Sequence, residues 1–330
     1  MVYILAKRRF SYLLCFLLGA LLSIFGSWAK ADILFEGYSR VISGGVHCGY
    51  IVNRYEFDTK KKQFISTYFL KTNPHCSSLT ESLKAYATAE LKPISYQYTS
   101  LTGSTAKIID AKFEENKKTK GMKMIAAVKD GQNQQKIVKD LPKGSFLSTF
   151  LIYVMLKSPS GLKVDQKWDY KAVAEEDADL IGGVAFVKNS EEFAGIRGFK
   201  IFNEFKNTKF SSLVTEKGEV LTTKSPAQGI GTELVAQATL ATNNMPVPAD
   251  LLTHLFGEVP TGTKNEMNRK SKESPPSTVA LPSSPSEVLP VPGKQYGIPK
   301  GVGLHLKGQN PGRGENPPEV ASPTTTQESK

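Results

Sequence analysis

The stretch KPISYQYTSL, residues 92–101, alternates apolar and polar side chains, and this alternation decides the fold class. Its apolar side chains Ile94, Tyr96 and Tyr98 fall on one face of an extended chain, because successive side chains of a strand point to opposite sides. The segments GMKMIAAV, QKWDYKAV and GFKIFNEF repeat the pattern. A period of two predicts half-buried β-strands rather than amphipathic helices.

Turn residues join these strands into hairpins. Asp130-Gly131 lies between MKMIAAVK and QNQQKIVK, where it predicts a type I′ turn, and residues 216–219 separate FSSLVT from VLTTK. About ten strands at hairpin spacing predict a large antiparallel sheet that is strongly curled or partly closed. We place this β-rich domain at residues 32–260.

One segment, SFLSTFLIYVMLK at residues 145–157, departs from the alternation because it is apolar on nearly every side. A helix of this kind is buried, and this one is too short to span a bilayer. We expect the sheet to curl around it, although an extra buried strand stays open because short apolar runs form either structure. Residues 247–260 predict a further short helix. The expected fold is mainly β, a curled, partly open antiparallel barrel packed around one or two helices.

The first 31 residues have the features of an export signal. A basic start at Lys7, Arg8 and Arg9 precedes an apolar run, and Ala29-Lys30-Ala31 forms a small-x-small cleavage site. We expect cleavage near Ala31 and a periplasmic location. An uncleaved membrane anchor is the alternative, because the apolar run approaches the lower limit of a bilayer span.

The composition changes near residue 260. From Pro260 onward the chain holds 12 of its 19 prolines, together with many Ser, Thr and Gly residues. Such a segment cannot bury enough apolar area to offset its ordering entropy, so residues 261–330 predict a disordered or extended tail. The tail is interpreted as a solvated spacer or as a segment that docks on a partner, with GIPKGVGLHLKG as its only mildly apolar part.

Two His-Cys pairs, at residues 47–48 and 75–76, predict a cross-link. Cys15 leaves with the signal peptide, and a hairpin of residues 46–57 with 64–71 places Cys48 near Cys76. In an oxidising compartment a disulfide here would stabilise the fold by roughly 3 to 4 kcal/mol. Two free thiols remain possible, as does a zinc site, which is disfavoured because adjacent strand residues point to opposite faces. We expect no metal and no cofactor.

Charge narrows the class of partner. The chain carries a net charge of +11, and removal of the four basic residues of the signal leaves about +7. A mildly basic envelope protein is typical of weak attraction to anionic lipid or cell-wall polymers. The lysines are scattered among acidic residues without an aromatic-interleaved basic stripe, so we expect no nucleic-acid partner.

Motifs for catalysis are missing from the sequence. It contains no H-E-x-x-H, G-x-S-x-G, P-loop or C-x-x-C pattern. The densest acidic cluster, residues 175–179, lacks the spacing of a calcium site and is interpreted as a solvated turn. His254 is interpreted as a helix-surface histidine. The sequence therefore predicts a protein without enzymatic activity.

The order of several segments resembles a widespread family of bacterial envelope domains of unknown function. These segments are ILFEGYSRVISGGVHCGYIVNRYEF, SLKAYATAELKPISYQYTS, GLKVDQKWDY, EEFAGIRGFKIFNEF and GEVLTTKSP, within residues 33–235. The family is similar in shape to the lipoprotein carriers LolA and LolB. The resemblance implies an unclosed antiparallel barrel with helices against its open side, and it supplies no catalytic residues.

A half-barrel has a concave face on which aromatic residues can line a cleft. The candidates, all at alternating or helical positions, are Tyr96, Tyr98, Phe150, Tyr153, Trp168, Phe199 and Phe205. Such a cleft suits an acyl chain or an apolar peptide, although the same residues also suit a closed core. The expected function is binding of a lipid, a lipoprotein or an apolar peptide, at most at the membrane surface. The alternative is an interaction protein whose tail engages an envelope partner.

Overall fold

A single antiparallel sheet of fifteen strands forms most of the described chain. The computed structural model describes residues 31–116, 120–243 and 245–273. The expected mainly β fold is confirmed, with fifteen strands instead of about ten. The strands are β1 (Asp32–Ser43), β2 (Val46–Asp58), β3 (Gln63–Thr72), β4 (Leu79–Thr88), β5 (Pro93–Thr102), β6 (Thr105–Asn116), β7 (Gly121–Asp130), β8 (Asn133–Leu141), β9 (Phe146–Leu147), β10 (Lys167–Ala174), β11 (Asp179–Phe193), β12 (Ile196–Phe205), β13 (Thr208–Val214), β14 (Val220–Ser225) and β15 (Ile230–Val235).

The strand order leaves the curled sheet open. Hairpin neighbours run from β8 back to β1, β1 then pairs with β15, and the order continues down to β10 and β9. Among the described residues β8 and the two-residue β9 are therefore the outer strands, and only the short β9–β10 pair is parallel. At the β7–β8 hairpin Asp130 pairs with Asn133, and Gly131 takes a φ of +56°. The turn thus consists of Gly131-Gln132 with one left-handed residue, so the predicted type I′ turn is wrong.

The apolar segment at residues 145–157 lies inside the curl, but not as one helix. Phe146 and Leu147 form β9, residues 148–150 form one 3₁₀ turn, and only Leu151–Lys157 is α-helical (α1). Both expectations are therefore partly right. Phe150 packs against the strands of the first half of the chain, whereas Met155 packs against β11–β13. The segment thus fills the space between the two halves of the sheet.

Three C-terminal helices lie outside the curl of the sheet. They are α2 (Ala238–Thr242), α3 (Ala249–Phe256), which confirms the helix expected in residues 247–260, and α4 (Glu266–Glu273). In β2 the side chains of Tyr50 and Val52 meet Leu252 and Phe256, while Tyr55 points into the concave core. Helices α2 and α3 thus lie on the convex face and not against the open side that the family resemblance implied. No helix in residues 31–116, 120–243 and 245–273 is long and apolar enough to cross a membrane.

A buried ion pair fastens the chain after α3 to the sheet. Arg54 and Glu36 are 1% and 3% exposed, and Arg54 Nε donates to Glu36 Oε2 at 2.7 Å. Arg54 Nη1 also donates to the carbonyl of Phe256 at 2.9 Å. The second carboxylate oxygen of Glu36 accepts from the backbone N–H of Gly262 at 2.6 Å. Both buried charges therefore have an opposite charge and further hydrogen-bond partners, as a buried ion pair requires.

The first part of the predicted tail is folded, which corrects the expected boundary at residue 261. Asn265 is fully buried, its Nδ2 donates to the carbonyls of Glu36 and Gly262, and its Oδ1 accepts from the Asn268 N–H as a cap of α4. Side-chain hydrogen bonds, which composition does not reveal, hold this segment in place. The rest of the predicted tail, residues 274–330, and the signal peptide lie outside the described residues.

The predicted disulfide is confirmed. Gly49 pairs with Thr72 across β2 and β3, which places residue 48 opposite residue 73 as expected. Cys48 is bonded to Cys76, with Cα atoms 5.8 Å apart, and both side chains are buried. A β-bulge between Val41 and Ile42 directs Cys48 toward the core, where it packs with Leu70 and Leu79.

Candidate functional site

The seven aromatic candidates do not form one site. Tyr96, Tyr98, Phe150 and Tyr153 pack together in the core between β4–β8 and the 148–157 segment, and the first three are at most 5% exposed. These four belong to a closed core. Phe199 lies in a smaller cavity of about 410 Å³ beside Arg197 and Thr215 at the other end of β12. Trp168 and Phe205 alone border a larger opening.

That opening contains a row of three aromatic rings. Tyr170 lies between Phe146 and Phe205, with ring centroids 5.7 and 6.0 Å away, and the Tyr170–Phe205 pair is stacked. Gly183 faces Tyr170 on one neighbouring strand and Phe205 on the other. A Cβ on Gly183 would overlap the Tyr170 ring, so the glycine lets the rings meet across the sheet. The Tyr170 hydroxyl donates to Asn203 Oδ1 at 2.8 Å, which fixes the ring.

Two walls and part of the floor of the groove around these rings come from three parts of the chain. One wall is β10, from Trp168 to Lys171; another is the loop from Pro142 to Ser145; and Val154 of α1 closes part of the floor. Its volume is about 830 Å³, within the range of small-molecule sites. We call this feature the β10 groove.

The edge of β10 beside the groove is open. β11 pairs with β10 along its whole length, but β9 pairs only with Ala172 and Val173. Along Lys167–Lys171 the other edge of β10 therefore has no strand partner within the described residues. Backbone N–H and C=O groups on such an edge can accept another strand.

Charged side chains surround the apolar floor. Lys143, Lys171 and Lys206 border the groove together with Asp169 and Glu204. Lys206 is held at the rim by ion pairs with Glu176, at 2.6 Å, and with Asp177. An aromatic floor with a mixed, lysine-rich rim suits a ligand that has an apolar chain and a polar or anionic end.

The acidic cluster next to the groove forms a turn, as expected, in which Asp177 is exposed but Glu175 is buried. Glu175 is 3% exposed and accepts hydrogen bonds from the Ser148 hydroxyl and from the Thr149 N–H, at 2.5 and 3.1 Å. Burial raises the pKa of its carboxyl to about 7, although these two hydrogen bonds lower it. Glu175 thus anchors the 3₁₀ turn that leads into α1, and its role is structural.

Sequence reasoning missed Phe146, Tyr170 and Val154, which line the groove with Trp168 and Phe205. A signal for Tyr170 was present, because QKWDYKAV places it on the same strand face as Trp168. No local signal marks Phe146, because its position depends on the parallel contact of β9 with β10. His254 lies exposed on α3, as expected.

Comparison with known proteins adds a likeness in fold. No protein-family model and no curated protein matches the chain. A similar solved structure is a β-barrel-like protein of domain of unknown function DUF1849 from Brucella abortus, with 9% sequence identity and a TM-score of 0.42. The match covers 61% of this chain and 94% of that chain. The resemblance to LolA and LolB stays a prediction.

Proposed function

We propose that the chain is a non-catalytic periplasmic protein that binds an apolar chain, from a lipid, a lipoprotein or an apolar peptide, in the β10 groove. The observation that carries this proposal is the aromatic row of Phe146, Tyr170 and Phe205, which borders an opening of about 830 Å³. Phe146 is already buried, so the half-buried rings of Tyr170 and Phe205 supply the surface that an apolar ligand would remove from water, at a gain of roughly 25 cal/mol per Å².

The chemistry of the groove favours binding over catalysis. The residues that line it include neither histidine nor cysteine. Its carboxylates Asp169 and Glu204 lie at the rim, and Asp169 is paired with Lys167 at 3.2 Å. The lysine-rich rim supports an anionic end for the ligand, and the exported location proposed from the sequence supports an envelope lipid or lipoprotein.

Trp168 provides a direct test. The only other tryptophan, Trp28, lies in the predicted signal peptide, so fluorescence of the mature protein reports on the groove. Titration with a fatty acid that carries a doxyl quencher should quench Trp168 saturably. Phe205→Asp should weaken the apparent affinity about tenfold or more, because it places a charge against the bound chain.

Phe202→Asp is the matched control. Phe202 lies three residues earlier in β12, on the opposite face, and is 40% exposed. In this variant the fatty acid should quench Trp168 fluorescence as it does in the wild type. Unsaturable quenching of the wild type, or equal quenching of both variants while both remain folded by circular dichroism, would refute binding in the β10 groove.

A further inference from the structure

A second feature of the β10 groove points to an occupant within the chain itself. An acyl chain would fill the floor but would leave the backbone groups at the edge of Lys167–Lys171 without a partner. An extended peptide can do both, because strand addition pairs the open edge while alternate side chains enter the groove. The groove thus has the two parts that strand addition uses.

The other outer strand of the sheet lacks this combination. β8 reads NQQKIVKDL, and Lys136 and Asp140 on it are exposed. Charged residues of this kind, lysine above all, are a common protection of edge strands against pairing. Lys167, Asp169 and Lys171 of β10 are exposed as well, so charge alone does not separate the two edges. Trp168 and Tyr170 of β10, however, are half-buried and border the groove. Of the two open edges, β10 is therefore the one that combines unpaired backbone groups with an apolar groove beside them.

The sequence beyond the described residues contains one segment that fits. VGLHLK, residues 302–307, places Val302, Leu304 and Leu306 at alternate positions, with Gly303, His305 and Lys307 between them. This is the period-two pattern of a strand with one apolar face. Prolines are frequent elsewhere in the region, whereas VGLHLK has none, so each of its residues can donate to a strand partner.

The chain can reach the groove. Helix α4 approaches Gly195 through Lys270, next to the first residue of β12, while Phe205 at the groove is the last residue of that strand. A strand of this length spans about 30 Å. The 28 residues from 274 to 301 are rich in proline and extend to about 87 Å at about 3.1 Å per residue, so they are long enough to cross that span. A covalent linker that can span the distance makes the binding intramolecular.

We propose that residues 302–307 add to the open edge of β10 as an extra strand and occupy the β10 groove when no ligand is bound. The inference rests on the proposed function, because it takes the same groove as the binding site. It adds that the tail competes with the ligand. Val302, Leu304 and Leu306 face the aromatic floor, and their backbone pairs with Lys167–Lys171.

Hydrogen-exchange mass spectrometry on the full mature chain tests the pairing. Among the backbone amides of Lys167–Lys171, those that point away from β11 should exchange slowly in the wild type. Leu304→Asp should accelerate them about threefold or more, which corresponds to loss of an occupancy of two thirds or more. Leu304→Ile should retain protection. Leu289→Asp, the same change in the proline-rich part of the tail, should leave the exchange unchanged.

The same variants separate this inference from the proposed function. If the tail competes, Leu304→Asp should bind the doxyl fatty acid about threefold more tightly than the wild type and Leu289→Asp. Fast exchange of the wild-type edge, or equal exchange in wild type and Leu304→Asp, overturns strand addition. If protection of the β10 edge amides rises with protein concentration, the strand comes from a second copy of the chain, and addition of the chain's own tail is overturned. Binding of the fatty acid that persists in these cases leaves the proposed function intact.

Discussion

Glu175 shows how a single residue links the groove to stability. Its buried carboxyl has a pKa of about 7, above the ordinary value of 4.5, so the folded state keeps the proton more readily than the unfolded state. The contribution of this group to stability is therefore fully present below pH 4.5, is lost as pH rises from 4.5 to 7, and no longer changes above pH 7. Glu175→Gln retains an acceptor for Thr149 and removes the ionisation. Between pH 5 and pH 8, the free energy of unfolding of Glu175→Gln should rise by roughly 1 to 3 kcal/mol relative to that of the wild type.

Urea unfolding at pH 5 and pH 8 checks this expectation. Burial also raises the pKa of Glu81, but this group is present in both proteins and cancels in the comparison. Asp177→Asn is the control, because Asp177 is exposed and is paired with Lys206 at the rim. It should show no comparable gain at pH 8. A difference between Glu175→Gln and the wild type that is the same at both pH values would contradict the assigned pKa.

The disulfide at the end of the β2–β3 hairpin should stabilise this pair of strands. The disulfide joins Cys48 and Cys76, which are 28 residues apart in the sequence. It lies in a buried cluster with Val41, Leu70 and Leu79. Replacing both cysteines by alanine should lower the free energy of unfolding by roughly 3 to 4 kcal/mol, because the unfolded chain gains loop entropy. Calorimetry before and after reduction of the wild type should give a similar loss. Equal melting temperatures in oxidised and reduced protein would contradict a structural role.

The strands and their hairpins were predictable from local patterns, whereas the position of the groove was not. Alternation in residues 92–101 marks β5, and the cysteines follow from hairpin register. The division of residues 145–157 into β9, a 3₁₀ turn and α1 depends on the contact with β10, far along the sequence. The predicted aromatic residues are divided between the core and the groove for the same reason. Alternation gives the face of a strand but not which part of that face the interior segment covers.

The described part of the chain combines a filled interior with one groove beside an open strand edge. Residues 148–157 fill the space between the two halves of the sheet, and the C-terminal helices cover the convex face and one end. The β10 groove remains where β9 ends and β10 continues alone. Binding there needs no large movement of the barrel, because the aromatic row is already in place. The tail, if it adds as a strand, adjusts the affinity through competition and not through a change of fold.

Native mass spectrometry of the protein recovered from the periplasm tests ligand binding most directly. Wild type, Leu304→Asp, Phe205→Asp and Phe202→Asp would be compared under conditions that retain bound molecules. We predict an additional acyl or peptide mass on wild type and Phe202→Asp, a larger bound fraction on Leu304→Asp, and loss of that mass on Phe205→Asp. The ligand-free mass alone on both wild type and Leu304→Asp, or a bound species retained by Phe205→Asp, would contradict the proposed site.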